Sequence, residues 1–343
     1  MALNPFPLQG TRADPNAEVT FDTFGCNTFK VDNLPTPDRL TPDVLIRRGV
    51  RFGTHLPTPD GRTIEVWRFE DEDAPREVWP SPPIRVRQGQ IVHTEIYARN
   101  NTHTIHHHGI EPTTFNDGVG HVSFEVSDTY RYQWQPHCAG TFFYHCHKNT
   151  VLHFEMGMYG LLIVDPPSGP GTVFEGGPSY QQEAFWVADD LDPRWRELGH
   201  SAGLCGEDVG LNRFEPKYFA ISGVFAPNTL NDPRVMVRAR RGETILVRLL
   251  NASYSILRVT LPLDAQCVSM DGHQLGGPDK PWCAPYTIRA NTPFELTTAQ
   301  RLDLLIRPRL PGVFTAKMEF LDWVSRAIQN NGAGVAQTQI VVT

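Results

Sequence analysis

The stretch GTFFYHCHKNTVLHFEMGMYGLLIV, residues 140–164, decides how the rest of the chain is read. Two apolar runs, each with the length and β-branched or aromatic content of a buried strand, flank a polar loop that cannot be core filler. Within it, Cys146 stands between His145 and His147, His153 follows seven residues later, and Met158 follows five residues after that. Thiolate, imidazole and thioether in this order are three of the four ligands of a blue-copper site, whose fourth is a second imidazole. Calcium and magnesium want oxygen donors clustered in a loop, which this one does not offer. The missing imidazole is supplied from upstream by NTHTIHHHG, residues 101–109, where His103 begins a His-x-x-His-x-His run. Alternation along a strand lets His106 and His108 face one centre while His103 faces another, and turns His107 the opposite way. Met158, in a Gly-Met-x-Gly setting, is the thioether favoured by the spacing, with Met156 as the alternative.

Outward from this stretch the pattern is that of strands. The chain has 343 residues, 40% hydrophobic and 20% charged, with 29 prolines and 28 glycines. That length suits two domains, and the many short Val/Ile/Thr/Phe runs between proline and glycine predict an all-β protein rather than helices. TIEVWRFE alternates with period two, PIRVRQGQIVHTEIYARN holds two strands about a turn at Gln88-Gly89, and TYRYQWQ precedes the opening stretch. Together they predict a Greek-key sandwich over residues 61–167. Residues 168–181, beginning SGPGT, read as a linker, and residues 1–60, rich in proline, as an N-terminal extension.

Residues 182–343 repeat the first sandwich. RVMVRARRGETILVRLLNAS matches PIRVRQGQIVHTEIYARN, PGVFTAKMEF matches AGTFFYHCHK, and AQTQIVV takes the place of GLLIVDP. The second copy has Lys317, Met318 and Glu319 where the first has His145, Cys146 and His147, so it is predicted to be ligand-poor.

Taken together, His106–Gly109, His145–His147, His153 and Met158–Gly160 resemble the multicopper oxidase and copper nitrite reductase superfamily of cupredoxins, over roughly residues 62–343. The resemblance implies two cupredoxin-like β-sandwich domains. It makes His103, Cys146, His153 and Met158 the ligands of a type 1 copper, and turns His106, His108, His145 and His147 toward a second copper centre. It further implies an oxidoreductase, with one-electron oxidation of a small, phenol-like reductant coupled to reduction of O2. His153, near the surface, would take the electron and Cys146 would pass it on. A homotrimer is the assembly expected by analogy.

The chain departs from both family patterns. A trinuclear cluster uses four His-x-His pairs, and only two are present, both in the first sandwich. A nitrite reductase-like centre takes a third histidine from a neighbour's second domain, where this chain offers Glu319 or Asp322. The rival functions are therefore a type 1 copper electron carrier without catalysis and a nitrite reductase-like enzyme.

The remaining features have plainer readings. The net charge of −7 gives no basic patch for nucleic acid, and no run of eighteen apolar residues predicts a membrane span. MALNPFPLQGTRADPN lacks the basic and apolar regions of a leader, so a cytoplasmic chain is expected, or a mature exported one. Besides Cys146 there are Cys26, Cys138, Cys205, Cys267 and Cys283, an odd number, with Cys267 and Cys283 able to bridge one loop. Asn116-Asp117-Gly118 is first a turn, although Asp117 could handle protons near the histidines. His55, His93, His121, His137, His200 and His273 are expected at the surface or in ordinary hydrogen bonds.

Overall fold

A computed structural model describes residues 30–31, 40–99, 101–120, 124–204, 206–277 and 280–343. It contains the two sandwiches. In the first, one sheet is built from Thr63–Asp71, Val44–Pro57, Val92–Tyr97 and Thr129–Trp134 in that order, and the facing sheet from Ile84–Arg87, Tyr159–Asp165, Gly140–His145 and His106–His108. The second is larger, with sheets centred on Gln182–Leu191 with Ile245–Asn251, and on Gly312–Leu321 with Val335–Val342.

The repeat inferred from the sequence has a counterpart in the pairing. Ile84–Arg87 runs parallel to Tyr159–Asp165, which is antiparallel to Gly140–His145. In the second sandwich Val237–Ala239 runs parallel to Val335–Val342, itself antiparallel to Gly312–Leu321.

The same correspondence corrects the N-terminal boundary. Gln182–Leu191 runs parallel to Ile245–Asn251, and its counterpart Val44–Pro57 runs parallel to Val92–Tyr97. Residues 44–57 thus belong to the first sandwich rather than to an extension over residues 1–60. Their alternation is hidden by arginines in VLIRRGVRFGTHLP and by a register shift between Arg51 and Thr54. Of the rest of that region, residues 1–29 and 32–39, including Cys26, lie outside the described residues. The expected linker is packed as well: Thr172 bridges Ser179, and Val173 is buried against Leu246, Val268 and Leu305.

Residues 140–164 are apolar on both faces for a reason that the pairing makes explicit. Phe142, Tyr144, Leu162 and Val164 fill the core of the first sandwich. Phe143, Tyr159 and Leu161, on the other face, pack with Val187, Leu191, Ala220 and Leu250 of the second. The central strands are therefore buried twice, and hydrophobic runs replace alternation. Gly140 belongs to this contact: a Cβ there would lie 2.3 Å from the carbonyl oxygen of Gly272. Among the described residues no helix is long and apolar enough to cross a membrane.

Candidate metal centres

Strand register separates the histidines into two groups. His106 opposes His145, His107 opposes Tyr144, and His108 opposes Phe143. Side chains opposite one another share a face, so His106, His108 and His145 lie together with Phe143, and His107 turns inward with Tyr144. His107 is buried there, its ring 4.6 Å from Trp134 and its Nε2 3.1 Å from Thr94 Oγ1. Cys146, one residue past the strand, falls on the core side and His145 on the other, although the two are covalent neighbours.

On the core side, Cys146 Sγ lies 3.3 Å from His153 Nδ1 and 3.7 Å from His103 Nδ1. His103 is held by paired backbone bonds to Val126, and His153 by the short helix Thr150–Glu155. Met158 is fully buried beside them, with its carbonyl accepting from the Cys146 amide at 3.0 Å. The Met156 sulfur faces Arg196 Nη1 at 3.6 Å and so has a partner outside this pocket. Burial pushes the Cys146 thiol up to about 11 and His153 down to about 3, and it also lowers His103 well below the ordinary imidazole value. Both imidazoles are therefore neutral ligands in waiting, and the thiol keeps its proton until a metal displaces it.

His153 itself is wholly buried, contrary to its expected place near the surface. The cause is His200, expected at the surface or in an ordinary hydrogen bond. The His200 ring is 4.5 Å from that of His153 and 4.8 Å from that of His103, and its carbonyl accepts from His153 Nε2 at 2.9 Å. Nothing in the sequence around GHSAGL marks it as part of the site, because the contact joins positions 47 residues apart. Of the other histidines so read, His121 lies outside the described residues.

On the opposite face, the rings of His106, His108, His145 and His147 form a cluster with centroids 5.3–5.5 Å apart between neighbours. Ligand nitrogens of His106, His108 and His145 lie within 4.8 Å of one another. Three of the four are oriented through Nδ1, by the Asp117 carbonyl at 2.7 Å, the Cys146 carbonyl at 2.9 Å and the Thr150 hydroxyl at 3.0 Å. The two carbonyl contacts put the proton on Nδ1 of His106 and His145 and leave their Nε2 for a metal, while the Thr150 hydroxyl orients the His147 ring. The Asp117 contact depends on Gly118, at φ +70, where a Cβ would lie 1.9 Å from the Ile105 carbonyl oxygen. Burial and the neighbouring Arg301 guanidinium bring His108 down to about 3.

The donor chemistry fits copper at both places. One has two imidazoles, a thiolate and a thioether, soft enough for copper, and the other has imidazoles alone. Among the described residues the second half contributes only His200 to such a cluster, beside His103 and His153, and Glu319 is paired with Lys317 at 3.0 Å. Cys146, Cys267 and Cys283 are free thiols, so Cys267 and Cys283 are not bridged; Cys205 lies outside the described residues.

Comparison with known proteins agrees with this geometry. The family model for multicopper oxidases matches residues 57–169. Most of the first sandwich thus resembles a multicopper oxidase domain. L-ascorbate oxidase of Cucumis sativus is 34% identical over 143 residues, 39% of this chain and 22% of that protein. Copper-containing nitrite reductase of Neisseria gonorrhoeae is 26% identical over 54% of this chain and 44% of its own. The match thus spans about a fifth of the ascorbate oxidase and under half of the reductase. Among solved structures, a blue copper oxidase from Nitrosomonas europaea superposes with a TM-score of 0.66 at 22% identity, covering 87% of this chain and 86% of that one. The two-sandwich cupredoxin fold of multicopper oxidases therefore extends through both halves of the chain, and copper is the metal that this family and these donors have in common.

Beneath the His153 helix lies a buried acidic group that the sequence did not disclose. Glu155, Asp189 and Asp190 are all buried, with Tyr159 Oη donating to Asp189 at 2.6 Å and Arg196 to Glu155 at 2.8 Å. Burial raises all three carboxyls, Asp190 from 3.8 to about 7. A carboxyl raised on folding binds more protons in the native state than in the unfolded chain. Its contribution is thus full below about pH 4 and is lost as pH rises through about 7. For Asp190 alone the upper bound is of order 4 kcal/mol. Denaturant titrations of the metal-free protein are expected to show stability falling between these limits, and Asp190→Asn to flatten that fall. An identical slope in the variant would remove Asp190 as its source.

Proposed function

We propose that the chain is a copper-dependent oxidoreductase of the multicopper oxidase type, taking single electrons from a small reductant and delivering them to O2. The observation that carries this reading is the tripeptide His145-Cys146-His147, which places a thiolate pocket and a four-imidazole cluster on opposite faces of one strand. Copper, when bound, supplies one-electron chemistry at the thiolate and a coordination position for oxygen at the imidazoles.

The residues divide the work. His103, Cys146, His153 and Met158 hold the type 1 position, with the His153 ring oriented through Nε2 by the His200 carbonyl. His106, His108, His145 and His147 hold the second centre. Asp117, with its carbonyl on His106 and its carboxylate 3.3 Å away, keeps that ring in place and offers a proton acceptor beside the centre. His145 and His147 adjoin Cys146 covalently, the shortest route the chain can provide between the two places. Because, among the described residues, the second sandwich adds no imidazole to this cluster, the second centre differs from an eight-histidine cluster. A neighbouring chain in a homotrimer would add carboxylates such as Glu319 rather than histidines.

Copper analysis with spin-resonance spectra tests this. The proposal expects more than one copper per chain, and His108→Ala/His147→Ala is expected to lose the additional copper while keeping the thiolate absorption. One copper per chain, unchanged in the double variant, would make the protein a type 1 electron carrier instead.

A further inference from the structure

We infer that His200 is a specificity-determining residue, which closes the thiolate pocket and moves the reductant's point of contact from the His153 edge to His200 and Phe52. The inference rests on the copper reading for its functional sense, and on geometry for the closure itself.

His200 belongs to a strap, residues 198–204 and 206–214, that leaves the second sandwich and returns to it. Leu198, Ala202, Leu211 and Phe214 of this strap pack against the core of the first sandwich. Its seating on the ligand loop is specific. The His200 carbonyl accepts from His153 Nε2 at 2.9 Å, and the Ala202 carbonyl accepts from Asn149 Nδ2 at 2.8 Å. His200 Nε2 lies 3.1 Å from the Thr102 carbonyl, on the residue preceding His103. The imidazole thus bridges the two loops that carry the pocket's histidines, packing against both rings.

Closure has a chemical consequence. With Nε2 of His153 used and its ring fully buried, no donor molecule can hydrogen-bond to that edge or stack upon it. Outside the strap the accessible aromatic is Phe52, 38% exposed, with its ring 6.3 Å from His200 and 5.5 Å from His103. A planar aromatic donor would meet Phe52 and the half-buried His200 there, one residue away from the ligands. Anions and other small ligands, which need to touch the metal, are kept out.

Alkylation of the metal-free, full-length protein with iodoacetamide tests the closure without copper, read as modification of Cys146 by peptide mass spectrometry. Cys138 and Cys283, both half-buried, serve as internal standards. Cys146 in the parent is expected to react far more slowly than either, and His200→Gly to accelerate it about tenfold or more by removing the barrier to local entry. Added imidazole should restore protection in His200→Gly by refilling the gap. Asn149→Asp, which removes the donor to Ala202, provides a second variant with the His200 side chain intact and should also accelerate labelling. Equal labelling of Cys146 in parent and both variants overturns the inference. With copper added, azide is expected to perturb the thiolate absorption of His200→Gly and not that of the parent. A parent with no such absorption would refute the copper reading while leaving the labelling result to judge the strap.

Discussion

Cys146→Ser is expected to abolish the visible absorption of the copper-loaded protein while leaving the fold intact. The Cys146 side chain is fully buried, 3.3 Å from His153 Nδ1 and 3.7 Å from His103 Nδ1, and it supplies the one thiolate of the pocket. The absorption arises from the copper–thiolate bond, so an alcohol in the same place removes it whatever metal remains. Serine is close in size and can donate to the Lys148 carbonyl, which lies 3.8 Å from the present sulfur. The expected result is a colourless protein whose circular dichroism matches the parent. Copper at the four-imidazole cluster is expected to persist, because its ligands occupy the other face. A Cys146→Ser protein that kept its absorption would overturn the assignment of the sulfur.

Arg248→Ala is expected to lower stability by about 3–5 kcal/mol, since it breaks a buried ion pair by removing one partner. Arg248 is fully buried where the two sandwiches meet, with Nε 2.6 Å from Glu183, Nη1 2.9 Å from Thr141 Oγ1, and Nη1 3.6 Å from Asp303. Thr141 lies on the strand that leads to His145 and Cys146, and its hydroxyl donates to Asp303. Without the guanidinium, Asp303 is left buried with a carboxyl that burial has already raised. It must then take up a proton or carry an uncompensated charge. Chemical denaturation of the metal-free protein measures the loss. Arg248→Met with Asp303→Leu should recover much of it, because a packed apolar pair avoids the unpaired charge. A loss below about 1 kcal/mol in Arg248→Ala would place the pair among weak, solvent-screened contacts.

The legible parts of this protein were those whose chemistry is local. Cys146, His153 and Met158 lie on one loop, so their spacing alone selects the metal class. His106, His108 and His107 sit on one strand, so alternation alone divides them. The second sandwich was legible because its strands repeat the order and the apolar pattern of the first. Val44–Pro57 was missed because its arginines make ion pairs with Glu70, Asp71, Glu72, Asp73 and Glu95, an arrangement that no periodicity reports. Spacing favoured Met158 over Met156 without deciding between them. Arg196, forty residues on, accounts for the sulfur of Met156.

By itself the sequence determined an all-β chain of two related sandwiches, the donor set of a copper pocket, and a second imidazole cluster beside it. Periodicity, repeats and ligand chemistry are carried by neighbours along the chain, and they survive without coordinates. Tertiary structure alone decided that His153 is closed off by His200, that three carboxyls are buried together below it, and that Arg248 and Asp303 of the second sandwich hold Thr141 of the first. Each of these joins residues far apart in sequence. Their energies come from desolvation and close contact, which exist only once the chain has folded.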